Sequence, residues 1–272
     1  MKVKLSGVWT TIIQPYVKSG GIWKTVLRRH IKKNGVWVEE LNVLDLTISA
    51  DTSAYDIKAA ALGTGWSGTY PIAINLVINS GIYVSATSTS GFALDTGTGW
   101  PSGSTILITN GGFIVGMGGA GGNGGATGAG SAGLNAGVGL KLQYATTIIN
   151  NGTVASGGDG GSGGTGTSGT TNPLQDQNST TYGRGGGGGG GGRSGKNNSA
   201  GGAGGAPSGF DNNSPGGAGG AGTYTSGGTG GTAGGTSATA GAAGGDWGGY
   251  DYISGNSFAT WQVTGTRTGS IG

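Results

Sequence analysis

The sequence predicts mostly β and irregular structure with little α-helix. We expect an N-terminal region of β-hairpins and strands, followed by packed polyproline II helices. Three observations support this class. Of the 70 glycines, 54 lie between Gly111 and Gly249, largely in Gly-Gly-x triplets. Trp9, Trp23 and Trp37 recur every 14 residues, and the pattern Asn-x-Gly recurs three times between short apolar runs.

The tryptophan repeat occupies residues 1–45. Each tryptophan follows a glycine and an apolar residue, and each unit is rich in β-branched and aromatic residues. A unit of this length with a glycine turn predicts a β-hairpin. Two interpretations remain open. The three hairpins could bury their tryptophans in one small core, or three similar units could face a partner with threefold symmetry.

A second repeat surrounds Asn79, Asn110 and Asn150, each of which opens an Asn-x-Gly element between two apolar runs. Asparagine and glycine adopt turn conformations at low cost, so each copy predicts a strand, a tight turn and a second strand. Two of the three copies lead into Gly-Gly-x runs. Between residues 47 and 68 the sequence also allows a short helix, with Asp51 at its start.

The Gly-Gly-x runs have a period of three, which matches the polyproline II helix and neither the α-helix nor the β-strand. Because glycine has no Cβ, such helices can approach until the N–H of one meets the C=O of the next. Leu174 is the only large aliphatic residue between Ala155 and Tyr252, so backbone hydrogen bonds would replace a side-chain core. A disordered glycine-rich linker remains the alternative, since ordering glycine costs much entropy.

The composition argues against catalysis and against nucleic-acid binding. Only 9% of residues are charged, the net charge is +3, and eight of the 14 Lys and Arg lie in the first 33 residues. There is no cysteine, and His30 is the only histidine, so we expect no enzyme activity, no metal site and no cofactor. The stretch 190–196 matches part of a phosphate-binding loop, but such matches arise by chance in glycine-rich sequence. The N-terminus lacks the apolar stretch of a signal peptide, so we expect synthesis in a cytoplasm.

Taken together, the Trp- and Lys-containing start, the strands with Asn-x-Gly turns and the interrupted Gly-Gly-x runs resemble a known family. It is the receptor-recognising adhesin at the distal tip of the long tail fibre of T-even-like bacteriophages. The resemblance implies that the glycine region is a sandwich of polyglycine II helices and that the N-terminal part caps a trimeric tail-fibre protein. It further implies virion localisation, a single adhesin per fibre tip, and loops that bind a host outer-membrane protein.

These implications divide the chain into residues 1–115 for fibre attachment, 116–249 for the glycine sandwich, and 250–272 for a strand segment returning to the base. Trp9, Trp23 and Trp37 become candidate fibre contacts. The candidate receptor contacts lie in the segments that interrupt the glycine runs: Leu174, Tyr182, Phe210, Asn172, Asp211, Asn212 and Asn135. The apolar members could instead pack between the loops and hold them in shape. A structural or ice-binding glycine-rich protein is the alternative class, although it would not need long irregular insertions.

The direction of each glycine run follows from counting reversals. If the chain leaves the base near Gly116, residues 127–135, 167–182, 207–214 and 236–239 lie at the tip. Residues 140–154, 193–199 and 223–226 then lie at the base. An even number of crossings returns the chain to the base, where Trp261 and Val263 can join the strands.

Overall fold

The computed structural model describes residues 2–5, 8–11, 16–25, 29–33, 35–40, 42–167, 184–204, 206, 215–235 and 238–272. Within the described residues the regular secondary structure is β-strand, apart from a single α-helix and one short 3₁₀ helix. The expected class, mostly β with very little helix, is confirmed.

Three antiparallel hairpins open the chain, as the tryptophan repeat predicts. They pair β1 (Lys2–Leu5) with β2 (Val8–Thr11), β3 (Tyr16–Ser19) with β4 (Ile22–Thr25), and β5 (Arg29–Lys33) with β6 (Val36–Glu40). The register is the same in each, because Lys4, Lys18 and Lys32 lie opposite Trp9, Trp23 and Trp37. In the second hairpin Gly20 and Gly21 form a two-residue turn with φ of +62° and +83°, as a type I′ turn requires.

The strands after residue 41 form a parallel β-solenoid of five rungs. Each rung gives one strand to each of three five-stranded sheets, and every pairing within these sheets is parallel. The first rung consists of β7 (Asn42–Ile48), β8 (Thr52–Ser53) and β9 (Tyr55–Asp56). The second consists of β10 (Ile72–Ile78), β11 (Tyr83–Ser85) and β12 (Leu94–Asp95). The third consists of β13 (Thr105–Asn110), β14 (Phe113–Val115) and β15 (Leu140–Lys141). The fourth consists of β16 (Thr146–Asn150), β17 (Thr153–Ala155) and β18 (Asp251–Ser254). The fifth is β19 (Ala259–Val263), β20 (Thr266–Thr268) and β21 (Ser270–Ile271).

Alternating apolar residues fill the solenoid. In β10, Ile72, Ile74, Leu76 and Ile78 are buried while the residues between them are more exposed. The parallel register stacks equivalent residues into columns, one of which runs through Leu46, Leu76, Ile108 and Ile148. Burying a side chain of this size stabilises the fold by about 1.5–3 kcal/mol. The hydrophobic core therefore lies inside the solenoid.

The Asn-x-Gly elements form the corners between the first and second sheets. Asn110 and Asn150 occupy equivalent places and are fully buried, and the Asn110 amide donates to Asn150 Oδ1 at 2.8 Å. The first copy is offset by one residue, because Ile78, and not Asn79, pairs with Asn110. The strand–turn–strand prediction is right locally. The strands of one copy do not pair with each other, however, but with strands of neighbouring rungs.

The helix α1 (Ile57–Gly63) begins later than the sequence indicated. Asp56, not Asp51, caps it, since an Asp56 carboxylate oxygen accepts from Ala59 N at 2.8 Å. Asp51 lies before β8, where its side chain accepts from Tyr83 N at 2.8 Å. The prediction of Asp51 as the helix start is therefore wrong. The helix packs Ile57 and Ala61 into the core.

The glycine-rich sequence enters at the corner between the second and third sheets. Residues 116–139 connect β14 to β15, and residues 156–250 connect β17 to β18. The hydrogen-bond ladder of the second sheet continues across this corner, where Ala86 N donates to Val115 O at 3.0 Å and Gly116 N donates to Ala155 O at 3.0 Å. Both insertions therefore leave the solenoid side by side.

Eight extended segments make up what we call the glycine bundle. In chain order they are segment 1 (116–125), segment 2 (128–137), segment 3 (157–167), segment 4 (184–194), segment 5 (199–204), segment 6 (216–223), segment 7 (226–234) and segment 8 (239–249). Apart from the single bridge between Ser199 and Gly222, they belong to no strand or helix. Among the described residues, no glycine between Gly103 and Gly248 has a positive φ.

The segments bond to one another through their backbones every three residues. Between segments 1 and 3 the donors Gly119, Gly122 and Gly125 bond to the carbonyls of Gly158, Gly161 and Gly164 at 2.9, 2.8 and 2.9 Å. Both series rise along the chain, so these segments are parallel. Between segments 1 and 4 the numbers run oppositely, since Gly189 donates to Gly122 O and Gly192 to Gly119 O. Those two segments are antiparallel.

Segment 4 lies at the centre of the bundle. It exchanges backbone hydrogen bonds with segments 1, 3, 5, 6, 7 and 8, and Gly185 to Gly192 are all buried. A Cβ on any glycine from Gly186 to Gly192 would overlap the backbone of a neighbouring segment. Segments 5, 6 and 7 keep one exposed position in every three residues, such as Ala203 and Thr229, and segments 2 and 8 keep two. This explains why the central run is pure glycine and its neighbours are Gly-Gly-x.

We expect Gly189→Ala to destabilise the protein by about 3 kcal/mol. The new methyl would overlap the Gly161 carbonyl and separate segments that share several hydrogen bonds of about 1 kcal/mol each. Gly128→Ala is the matched control, because Gly128 has open space around its Cβ position and no positive φ. It should change the free energy of unfolding by less than about 1 kcal/mol. Equal losses in both variants, measured by denaturant unfolding, would contradict the close-packing explanation.

The free end of the glycine bundle

The bundle has one end against the solenoid and one free end. Segments 1, 3, 5 and 7 run away from the solenoid and segments 2, 4, 6 and 8 return, as their hydrogen-bond registers show. At the solenoid end, Lys196 N donates to Ser85 Oγ at 2.9 Å and the Asn197 amide donates to Ala86 O at 2.9 Å. The free end includes the turn at residues 126–128.

Three further connections begin and finish at the free end. The first connection runs from residue 167, at the end of segment 3, to residue 184, at the start of segment 4. The second runs from residue 204, at the end of segment 5, to residue 215, just before segment 6. The third passes from residue 235 to residue 238, between segments 7 and 8. Backbone bonds fix the first pair of exits, since Thr167 N donates to Arg184 O at 2.9 Å and Gly166 N donates to Gly128 O at 2.8 Å. Arg184 also donates from Nη1 to Gly234 O at 3.2 Å. These exits are thus held at set positions.

Most candidate receptor residues belong to these connections. Leu174, Tyr182, Phe210, Asn172, Asp211 and Asn212 lie outside the residues that the structure describes, so their role stays a prediction. The exits that flank them are at the free end, as the counting of reversals predicted.

Asn135 has a different location. It lies near the end of segment 2, where Ala136 N donates to Asp159 Oδ1 at 2.7 Å and Gly137 packs against Thr89. This is the solenoid end of the bundle. The expected tip position for the whole of 127–135 is therefore wrong beyond the turn, because segment 2 already starts to return at Gly128. The sequence obscured this, since residues 126–139 keep no strict triplet.

Sequence reasoning missed the cluster that joins the bundle to the solenoid. Lys196 Nζ lies 5.0 Å from the ring centre of Tyr83 and 4.3 Å from that of Tyr224, and it pairs with Asp51 at 3.5 Å. On the same side, the Arg193 guanidinium lies 3.8 Å over Trp247, whose indole N–H donates to Ser194 O at 3.0 Å. Cation–π contacts of this kind contribute about 0.5–2 kcal/mol each. They orient the bundle on its base.

The described residues offer little for chemistry. They contain no group of His, Cys, Asp and Glu able to hold a metal ion. Burial raises the pKa of the Tyr55 hydroxyl above its ordinary value, but Tyr55 belongs to the first rung and not to the free end. Among the same residues no helix is long and apolar enough to cross a membrane.

The tryptophan repeat is described at the level of its strands. Trp9, Trp23 and Trp37 lie at the same register position in three separate hairpins, but their side chains lie outside what is described. The choice between a small core and a threefold interface therefore stays open.

The architecture combines a solenoid base with a backbone-bonded glycine bundle, and the chain leaves and re-enters this bundle three times at its free end. The family model of the phage tail fibre adhesin Gp38 matches residues 43–272, and the chain belongs to this family. The fold is similar to a chain in the crystal structure of the gp37–gp38 adhesin tip complex of the bacteriophage S16 long tail fibre, with a TM-score of 0.53 and 18% identity. That match covers 86% of this chain and 83% of the other. No curated protein matches the sequence.

Proposed function

We propose that this adhesin caps the tip of a trimeric long tail fibre and recognises a host outer-membrane protein through the connections at the free end of its glycine bundle. The observation that carries the proposal is that the chain leaves and re-enters the bundle three times at one end, and that backbone bonds fix the bundle. Recognition residues are commonly placed on loops that a rigid scaffold positions. Membership of a tail fibre adhesin family supports this role over a structural or ice-binding one.

The glycine bundle is, in this proposal, a sandwich of polyglycine II helices. The three-residue period of its hydrogen bonds and the lack of positive φ values among its described glycines support this conformation. A scaffold of this kind depends on glycine and hardly at all on its connections. The connections can therefore vary in sequence without loss of the fold, which suits a receptor-binding surface.

The three hairpins are the proposed attachment to the fibre. Their equal register gives three copies of one Lys–Trp pair, which matches a partner with three identical chains. The gp37–gp38 tip complex supports a tail-fibre partner by similarity of fold. One adhesin would then occupy one fibre tip, carried on the virion after synthesis in the host cytoplasm.

Amide hydrogen exchange tests the helix sandwich. We expect slow exchange throughout segment 4, where N–H groups such as those of Gly188, Gly189 and Gly190 are bonded and buried. The turn at 126–128 is the internal control and should exchange quickly. Fast exchange across all eight segments would show that the bundle does not persist in solution.

Substitutions in the connections test receptor recognition. Phe210→Ala and Leu174→Ser should reduce adsorption to host cells about tenfold or more, because apolar and aromatic anchors dominate interface energetics. Their stability and their attachment to the fibre should be unchanged. Phe258→Ala is the matched control, since Phe258 is 44% exposed but lies in the 3₁₀ turn before β19. Normal adsorption by both connection variants would remove these residues from the receptor site.

Removal of residues 1–40 tests attachment. We expect the shortened protein to lose binding to the fibre while its unfolding midpoint stays close to that of the intact chain. The combined variant Trp9→Ala, Trp23→Ala, Trp37→Ala should behave in the same way. Native mass spectrometry of the intact complex should give one adhesin per three fibre chains. A shortened protein that still co-purifies with the fibre would assign the hairpins to a small core.

A further inference from the structure

A second feature of the surface lies away from the free end. A shallow, open groove of about 460 Å³ is formed where segment 2 meets the solenoid. It is lined by Thr89, Ser90, Gly133, Leu134, Asn135, Ala136 and Tyr250. The groove includes Asn135, one of the candidate receptor contacts, but none of the residues in the connections at the free end.

The lining combines an aromatic ring with unused polar groups. Tyr250 is 43% exposed and Leu134 is 59% exposed, so an apolar surface faces the solvent. The Asn135 amide and the Thr89 hydroxyl have no hydrogen-bond partner among the described residues. An asparagine amide offers two donors and a carbonyl acceptor, and a threonine hydroxyl offers a donor and an acceptor. None of the lining residues carries a charge.

The groove is also held firmly. Leu134 N donates to Ala120 O at 2.8 Å, and Gly160 N donates to Leu134 O at 2.9 Å. Asp159 accepts from Ala136 N at 2.7 Å, and Tyr250 N donates to Ser156 Oγ at 3.2 Å. Because these backbones are fixed on both sides, little ordering entropy would be lost on binding.

The geometry points to a binding site for a neutral pyranose sugar, which neither the family match nor the proposed function assigns. A pyranose has an apolar C–H face that packs on an aromatic ring, and a rim of hydroxyls that bond to amides and hydroxyls. Tyr250 supplies the ring, while Asn135 and Thr89 supply the polar partners. A peptide side chain is a poorer fit, since apolar protein anchors bind in enclosed, desolvated pockets. The site requires only the bundle and the solenoid, so it is independent of receptor binding at the free end.

Binding can be followed by NMR on the full-length protein. The probes are the methyl pyranosides of glucose, galactose and N-acetylglucosamine, a soluble maltooligosaccharide, and the oligosaccharide released from host lipopolysaccharide. We expect chemical-shift changes at residues 89–90, 133–136 and 250 with at least one pyranoside. Stronger binding of the lipopolysaccharide oligosaccharide would identify the host surface as the source of the sugar. Stronger binding of the maltooligosaccharide would identify a soluble glucan.

Two variants connect the binding to the groove. Tyr250→Ala and Asn135→Ala should each weaken sugar binding about tenfold, while Phe258→Ala, an equally exposed aromatic outside the groove, should not. Adsorption that depends on Phe210 should persist in Tyr250→Ala. The inference is overturned if no sugar shifts these resonances, or if the shifts survive Tyr250→Ala. It is also overturned if only a detergent-solubilised outer-membrane protein, free of lipopolysaccharide, perturbs the groove.

Discussion

The structure depends on one interaction, the backbone hydrogen bond between segments that have no side chains in the way. Each such bond contributes only about 1 kcal/mol, and glycine loses more entropy on ordering than other residues. An isolated pair of glycine segments would therefore not persist. In segment 4 many hydrogen bonds together offset this entropy loss, because the segment bonds to segments 1, 3, 5, 6, 7 and 8. Its glycines can be satisfied on every side only if none of them carries a Cβ.

The solenoid supplies what the bundle lacks. Its core of stacked aliphatic residues, such as Leu76, Ile108 and Ile148, gives hydrophobic stabilisation that glycine cannot give. At the fifth rung the aliphatic columns change to larger groups: Trp261 follows Ile148 in one column and Arg267 follows Val154 in another. The Arg267 guanidinium lies 5.2 Å from the Trp261 ring centre. A terminal repeat with a different, more polar composition is expected where stacking ends.

The sequence indicated the hairpins and the three-residue period because both are local patterns. It did not indicate the parallel pairing, because each strand pairs with an equivalent in another rung, and residues 156–250 separate β17 from β18. The misassigned Asp51 has a similar cause. Its partners Tyr83 and Lys196 are distant in sequence, while the local helix signal also accommodates Asp56. The location of Asn135 was not predicted because the chain reverses at the turn 126–128, so segment 2 already runs back towards the solenoid before it reaches Asn135.

The position of the insertions explains how a bundle can start at all. Corners at the same edge of the solenoid hold residue 54, residues 86–93, residues 116–139 and residues 156–250 in successive rungs. The ladder of the second sheet crosses these corners, from Ala54 N to Ser85 O and from Gly116 N to Ala155 O, each at 3.0 Å. Segments 1 and 3 therefore begin parallel and already paired. The strands that precede them align the two glycine chains, so the entropy cost of this alignment does not fall on the glycine segments. Later segments can add to a template that the solenoid has fixed.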